Sequence, residues 1–208
     1  MLQKMFVREF IEAILAAVIV AVILRFFVVS VYRIPSESML PALVPGDFIV
    51  AFKTPYGIQI PFFEDRLGER SPVRGDVVIF QIPGEDALFV KRVVAVAGDR
   101  VEIKNGLLVI NDVVTTSTFT PQGDFEVAAE TAEEMTHQVM RRKGAEEPDF
   151  LAPVVVPPGQ MFILGDLRTD SVDSRQWGPI PTRFAFAKAA FVFFSIPFNG
   201  QRLFKAIE

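Results

Sequence analysis

Two serines stand two residues apart in Ile34-Pro35-Ser36-Glu37-Ser38-Met39-Leu40-Pro41. A serine hydroxyl attacks a carbonyl only when a base lies within hydrogen-bond reach. Pro35 and Pro41 restrict the backbone on either side, which suits a fixed nucleophile and equally suits a polar linker. A second unusual feature is Lys91, inside the apolar run Leu88-Phe89-Val90-Lys91-Arg92-Val93-Val94-Ala95-Val96. Period-two alternation places Lys91 on the face of Phe89 and Val93, and Arg92 on the other. One of the two cations is then expected to point inward; the plainer reading makes both of them rim charges. A third polar segment, Gly165-Asp166-Leu167-Arg168-Thr169-Asp170-Ser171-Val172-Asp173-Ser174-Arg175-Gln176-Trp177-Gly178, packs three Asp, two Arg and two Ser between glycines. Such a loop can build a rigid hydrogen-bond network.

Other chemistries are removed by counting. There is no Cys and a single His, His137, so disulfides, thiolate metal sites and cysteine nucleophiles are out. None of the eight serines lies in G-x-S-x-G or begins S-x-x-K, which excludes the nucleophile elbow and the β-lactamase pattern. Asp166, Asp170 and Asp173 lack the Gly and Glu that would complete a calcium loop. No metal or cofactor is expected. A net charge of −4 and a pI near 5.2 mark no nucleic-acid partner.

A lysine base has to lose its proton first. At the ordinary value of ~10.4, about one lysine in 2,500 is neutral at pH 7. Burial disfavours the ammonium, and a fall to ~8 makes roughly a tenth neutral, near the working range of a general base. Phe89, Val90 and Val93 are neighbours that would desolvate Lys91.

The elements that position these groups can be read from the pattern. Half of the residues are hydrophobic and mean hydropathy is +0.36. Much of that weight lies in residues 11–32, whose only charges are Glu12 and Arg25. The run is long enough to span a bilayer, and it is longer than a signal-peptide core, with no Ala-x-Ala site following it. Lys4 and Arg8 favour a cytoplasmic amino-terminal end, while Arg25 and Arg33 oppose it. Beyond residue 35, strands are expected at 47–52, 76–81, 87–96, 101–109, 161–164 and 185–194. Asn105-Gly106 marks a hairpin turn. The one expected helix lies in 126–142, where good helix formers predominate. Residues 112–160 carry nine acids against three bases and read as an inserted, solvated lobe closed by Pro157-Pro158. Fifteen Pro and thirteen Gly argue for many short elements joined by turns. The expected fold is mainly β: a coiled antiparallel sheet domain with a smaller inserted lobe, behind one transmembrane helix. The expected division is a cytoplasmic stub (1–10), the membrane helix (11–32), a catalytic β domain (33–111 and 161–208) and the acidic lobe (112–160).

The segments 34–43, 75–80 (GDVVIF), 89–101 and 165–178, in this order, resemble the bacterial type I signal peptidases, membrane-anchored serine proteases with a Ser-Lys dyad. The resemblance implies Ser38 as nucleophile and Lys91 as general base. It implies an oxyanion hole of the Ser38 N–H and the Ser36 hydroxyl, Ser171 holding the lysine, and an Asp173–Arg175 structural ion pair. Asp166 and Arg168 match flanking polar positions. Implied substrates are preproteins, cut after small residues at −3 and −1. Ile34, Met39, Leu43, Phe89 and Val90 are candidate walls for those pockets, and each of them also reads as plain core. The implied location is the bacterial cytoplasmic membrane, single-pass, with the catalytic domain on the extracytoplasmic side and the lipid bilayer as a second partner. A monomer is the expected state. Leu167 and Thr169 replace frequent Asn and Asp, a change expected to loosen the loop carrying Ser171. Ile58 to Phe63 is expected to dip into the membrane interface. Rival readings are a specialised peptidase of the same family acting on a pilus or conjugation protein, a self-cleaving repressor, which would need a DNA-binding domain, and a non-catalytic membrane-anchored docking module. His137 lies away in sequence from every motif and is expected to be a bystander.

Overall fold

The computed structural model describes residues 2–59, 66–133, 135–145 and 150–207. In chain order it holds helix α1 (Leu2–Phe27), then strands β1 (Val29–Arg33), β2 (Asp47–Phe52), β3 (Ile58–Gln59), β4 (Arg66–Leu67), β5 (Val77–Phe80) and β6 (Phe89–Val96). β7 (Arg100–Lys104), β8 (Leu107–Ile110), β9 (Val113–Val114), β10 (Thr120–Gln122), β11 (Phe125–Ala132), β12 (Met135–Arg142) and β13 (Phe150–Val155) follow. The chain continues through β14 (Gln160–Leu164), the short helix α2 (Ser174–Trp177), β15 (Ile180–Pro181), β16 (Ala185–Ser195) and β17 (Lys205–Ala206). Residues 60–63 of the expected interfacial segment lie outside the described residues.

Within α1, the 19 residues Glu9–Phe27 have a mean hydropathy of 2.5 and none is buried, so the helix is long and apolar enough to cross a membrane. It stops earlier than expected. Residues 29–32 of the expected span, together with Arg33, pair with β2 as a strand, Val29 opposite Phe52. Val28, Val29 and Val31 are β-branched and suit a pleated surface. Lys53 donates to the Phe26 carbonyl at 2.8 Å, satisfying one of the acceptors a helix end leaves open. One residue thus separates the apolar helix from the main sheet.

That sheet is antiparallel, in the order β1-β2-β16-β5-β6-β14-β15, with β17 against β16. β16 shifts register between residues 185 and 187, 189 and 191, and 192 and 194. Such bulges bend a strand, and the 11-residue strand pairs with β2 and β5 in turn. A second sheet, β13-β7-β8-β9, turns at Asn105 and Gly106, both at positive φ, the conformation a two-residue hairpin loop requires. Val94, Phe162 and Leu164 of the main sheet pack with Val101, Ile103 and Leu108 of the second in one core cluster.

Residues 126–142 are not a helix. They form the hairpin β11–β12, with Glu130 opposite His137 and Ala128 opposite Val139. All four of those side chains are buried. Good helix formers lose here to burial of alternate residues, a tertiary gain that intrinsic propensity does not contain.

Candidate active site

Ser38 lies on the long turn between β1 and β2. The base of the turn is fixed by Asp47, fully buried, which accepts from the Val44 amide at 2.8 Å, from the Ser195 hydroxyl at 2.6 Å, and from Arg202. At its tip the Leu40 amide donates to the Glu37 carbonyl at 2.8 Å, and Leu43 donates to Met39 at 2.8 Å. Ile34, Met39 and Leu43 turn into a core cluster with Ile49, Ala51 and Val77. Burying these three apolar side chains anchors a segment whose polar residues stay near the surface. Of the five candidate wall residues, those three belong to the core. Val90 is half-buried against the same cluster. Phe89, also half-buried, lies 5.5 Å from the Phe80 ring and 5.3 Å from Trp177.

Lys91 Nζ lies 2.6 Å from Ser38 Oγ, and the Ser36 hydroxyl is 3.3 Å from the same oxygen. Lys91 is buried because β6 is an inner strand, hydrogen-bonded to β5 on one side and β14 on the other. The reading of Lys91 and Arg92 as rim charges fails for the same reason, and both are buried. Burial pushes Lys91 down to about 8; Asp173 and Asp166 pull it back upward, and Arg175 pushes it lower.

Arg92, with no exposed surface, forks onto Asp166 with two contacts of 2.9 Å and donates to the Gly75 carbonyl at 3.0 Å. Removing one member of such a pair strands a buried charge, at about 3–5 kcal/mol. Asp173 accepts from Ser171 at 2.6 Å, from the Gly165 amide at 3.0 Å and from Arg175 at 2.9 Å. Burial alone would raise its carboxyl, but the bonds from Arg175, Ser171 and Gly165 hold it below the ordinary range. The expected Asp173–Arg175 pair is therefore present. The Ser171 hydroxyl, expected on the lysine, donates to Asp173 instead, while Lys91 reaches Ser38.

Gly165 separates the two loops. A Cβ at this position would lie 2.3 Å from Ser171 Oγ and 2.6 Å from the Ser38 carbonyl oxygen. Leu167 and Thr169, the residues expected to loosen this loop, both make contacts at the site. Leu167 is fully buried and its amide donates to the Ser38 carbonyl at 3.1 Å. The Thr169 hydroxyl accepts from the Arg142 amide at 3.1 Å.

Arg142 belongs to the lobe that reads from sequence as a solvated excursion. In the structure β12 backs the site, and the Met140 amide donates to the Asp166 carbonyl at 2.8 Å. Arg168 pairs with Glu130 at 2.6 Å. His137 is buried 3.5 Å from Glu130 and 3.7 Å from Asp166. Burial, Arg92 and Arg168 all push it far below its ordinary range, so it stays neutral. Sequence reasoning missed Glu37, Asp47, Glu130 and Arg142, because their partners lie dozens of residues away and no local spacing marks them. Among the described residues, no group of three His, Cys, Asp or Glu side chains is placed to hold a metal ion. A hollow of about 670 Å³, lined by Ser71, Arg74, Ala132, Glu133 and Met135, lies apart from the dyad.

The family model for signal peptidase, peptidase S26, matches residues 7–194. The chain belongs to that signal peptidase family. It is 32% identical over 205 residues to the probable signal peptidase I-1 of Synechocystis sp., covering 94% of this chain and 87% of that one. It is 28% identical to the signal peptidase I of Buchnera aphidicola, covering 84% and 72%, and 33% identical to that of Pseudomonas aeruginosa, covering 86% and 69%. A crystal structure of a signal peptidase I from Enterococcus faecalis aligns at 23% identity with a TM-score of 0.34, covering 56% of this chain and 94% of that one. The chain is thus a peptidase, mainly β, with an amino-terminal apolar helix that fits a membrane anchor.

Proposed function

We propose that this signal peptidase is a membrane-anchored serine endopeptidase that removes N-terminal signal peptides from exported preproteins, with Ser38 as nucleophile and Lys91 as general base. The observation that carries the reading is the 2.6 Å approach of Lys91 Nζ to Ser38 Oγ, made by a lysine that burial holds at about 8. Roughly a tenth of such lysines are neutral at pH 7. The neutral amine takes the hydroxyl proton as Ser38 Oγ attacks the scissile carbonyl. The carbonyl oxygen becomes an oxyanion facing the Ser38 N–H and the Ser36 hydroxyl; donors of this kind are worth about 3–4 kcal/mol. Among the described residues nothing accepts from the Ser38 amide, which leaves it open for that role. Lys91 then protonates the leaving amine, the carbon–nitrogen bond breaks, and water hydrolyses the acyl-enzyme with Lys91 again as base. Ser171 acts at one remove, by fixing Asp173 beside the lysine.

Small substrate side chains at −1 and −3 pack beside the dyad against Val90, which lies on the cluster of Ile34, Met39 and Leu43, and against Phe89, which lies beside Phe80 and Trp177. The helix Glu9–Phe27 anchors the enzyme single-pass in the bacterial cytoplasmic membrane, with the amino-terminal end cytoplasmic and the catalytic domain outside. Because β1 follows the helix directly, the dyad is tied close to the bilayer in which the substrate's own apolar segment is embedded. The test is cleavage, in detergent, of a preprotein with Ala-x-Ala before its mature start. Ser38→Ala and Lys91→Ala should each abolish it; wild-type cleavage by either variant refutes the dyad.

A further inference from the structure

Glu37 stands between the two hydroxyls, and its carboxylate is drawn off by the inserted hairpin. Arg142 Nη2 pairs with Glu37, and Arg142 Nε donates to Asp170, next to Ser171, at 2.8 Å. The Arg142 backbone amide donates to the Thr169 hydroxyl at 3.1 Å. Its guanidinium lies 5.0 Å from the ring of Phe125, the residue directly opposite it on β11. One side chain therefore touches both loops that build the site. Among the described residues, Arg142 is the one partner of the Glu37 carboxylate.

We propose that Arg142 is a positioning residue for the nucleophile turn: it holds Glu37 aside, keeps Ser36 and Ser38 in register with the Ser171 loop, and offsets a negative charge beside the oxyanion position. This rests on the dyad reading above. A carboxylate on the residue between the two oxyanion donors opposes the negative charge that develops there, unless a cation compensates it. The turn that bears Glu37 is also the one that sets where the attacking oxygen sits, and attack tolerates little misplacement. The lobe thus contributes to catalysis through a contact made by Glu37, whose neighbours Ser36 and Ser38 carry the chemistry.

A purely structural role for Arg142 would be to fasten the lobe. Arg141 separates the two ideas. Among the described residues it contacts β11 and Phe119 rather than the serine loops, pairing with Glu126 at 2.6 Å and lying 4.2 Å from the Phe119 ring. The experiment uses the full chain in detergent with the Ala-x-Ala preprotein. It compares wild type, Arg142→Ala, Glu37→Gln, the double variant, Arg141→Ala and Ser38→Ala. Arg142→Ala should lower kcat about fivefold, the size that two exposed charge contacts supply, with KM little changed. The double variant should recover to the level of Glu37→Gln alone, because the stranded carboxylate is gone. Arg141→Ala should keep wild-type kcat. Wild-type kcat in Arg142→Ala, losses that multiply in the double variant, or an equal loss in Arg141→Ala overturns the proposal. Cleavage by Ser38→Ala overturns the dyad reading beneath it, whereas an inert Ser38→Ala with an unaffected Arg142→Ala overturns the positioning role alone.

Discussion

Replacing Lys91 by Met should make the protein more stable and inactive, and the stability gain should fade as the pH rises. Lys91 ordinarily titrates at 10.5 and is held at about 8 by burial. Below pH 8 the folded state carries a proton on a desolvated amine, and the cost is fully present. From 8 to 10.5 the unfolded chain keeps a proton that the folded chain has released, so wild-type stability rises with pH. Above 10.5 both states are neutral and the cost is gone. At about 1.4 kcal/mol per pH unit, that interval amounts to about 3 kcal/mol. Methionine lacks the titration and keeps most of the volume, but gives up the hydrogen bond to Ser38, worth about 1 kcal/mol. The expected gain is therefore about 2 kcal/mol at pH 7, shifting against the variant by about 3 kcal/mol by pH 10.5. Urea unfolding of the full chain in a neutral detergent measures this. Trp177, the one tryptophan, lies against Phe89 and Phe80 at the start of β6 and the end of β5, so its fluorescence follows melting around the dyad. Other groups titrate in both proteins and cancel in the difference. A gap that does not change between pH 7 and pH 10.5 would refute the argument that burial depresses Lys91, and a variant less stable at pH 7 would refute its sign.

Two further outcomes follow from the packing. Gly165→Ala places a methyl 2.3 Å from Ser171 Oγ and 2.6 Å from the Ser38 carbonyl, so the two loops must part. The expected loss in kcat is about a hundredfold, at a stability cost of about 1–3 kcal/mol. Single-turnover kinetics and circular dichroism check it, and near-wild-type turnover would show the loops to be more yielding than drawn. His137→Gln should leave the shape of the pH–rate profile intact, with activity rising through about pH 8 as Lys91 deprotonates. A wild-type profile that loses a lower step in the variant would revive a histidine mechanism.

Much of the site was legible in the chain. The absence of Cys and the single His left hydroxyl and amine chemistry, and both groups stood in local patterns that mark them: serines between prolines, and a lysine in an apolar run. Strands 47–52 and 185–194 and the Asn105-Gly106 turn were legible for a similar reason, since alternation and turn chemistry are encoded within a few residues. The hairpin 125–142 was not. Its residues favour helix when taken alone, and only burial of Ala128, Glu130, His137 and Val139 makes strands the lower state. Nor was the early end of the membrane helix, because Val29 and Val31 are as apolar as the helix they follow, and pairing with β2 decides their conformation. Residue types and local spacing mark the candidate reactive groups. Tertiary structure alone decided that both cations of the Lys91-Arg92 pair are buried, one against Ser38 and the other on Asp166. It also sent Ser171 to Asp173, and brought Arg142 from the end of β12 onto Glu37. Charge pairs between distant residues leave no periodic trace, and their geometry exists only once the sheets have packed.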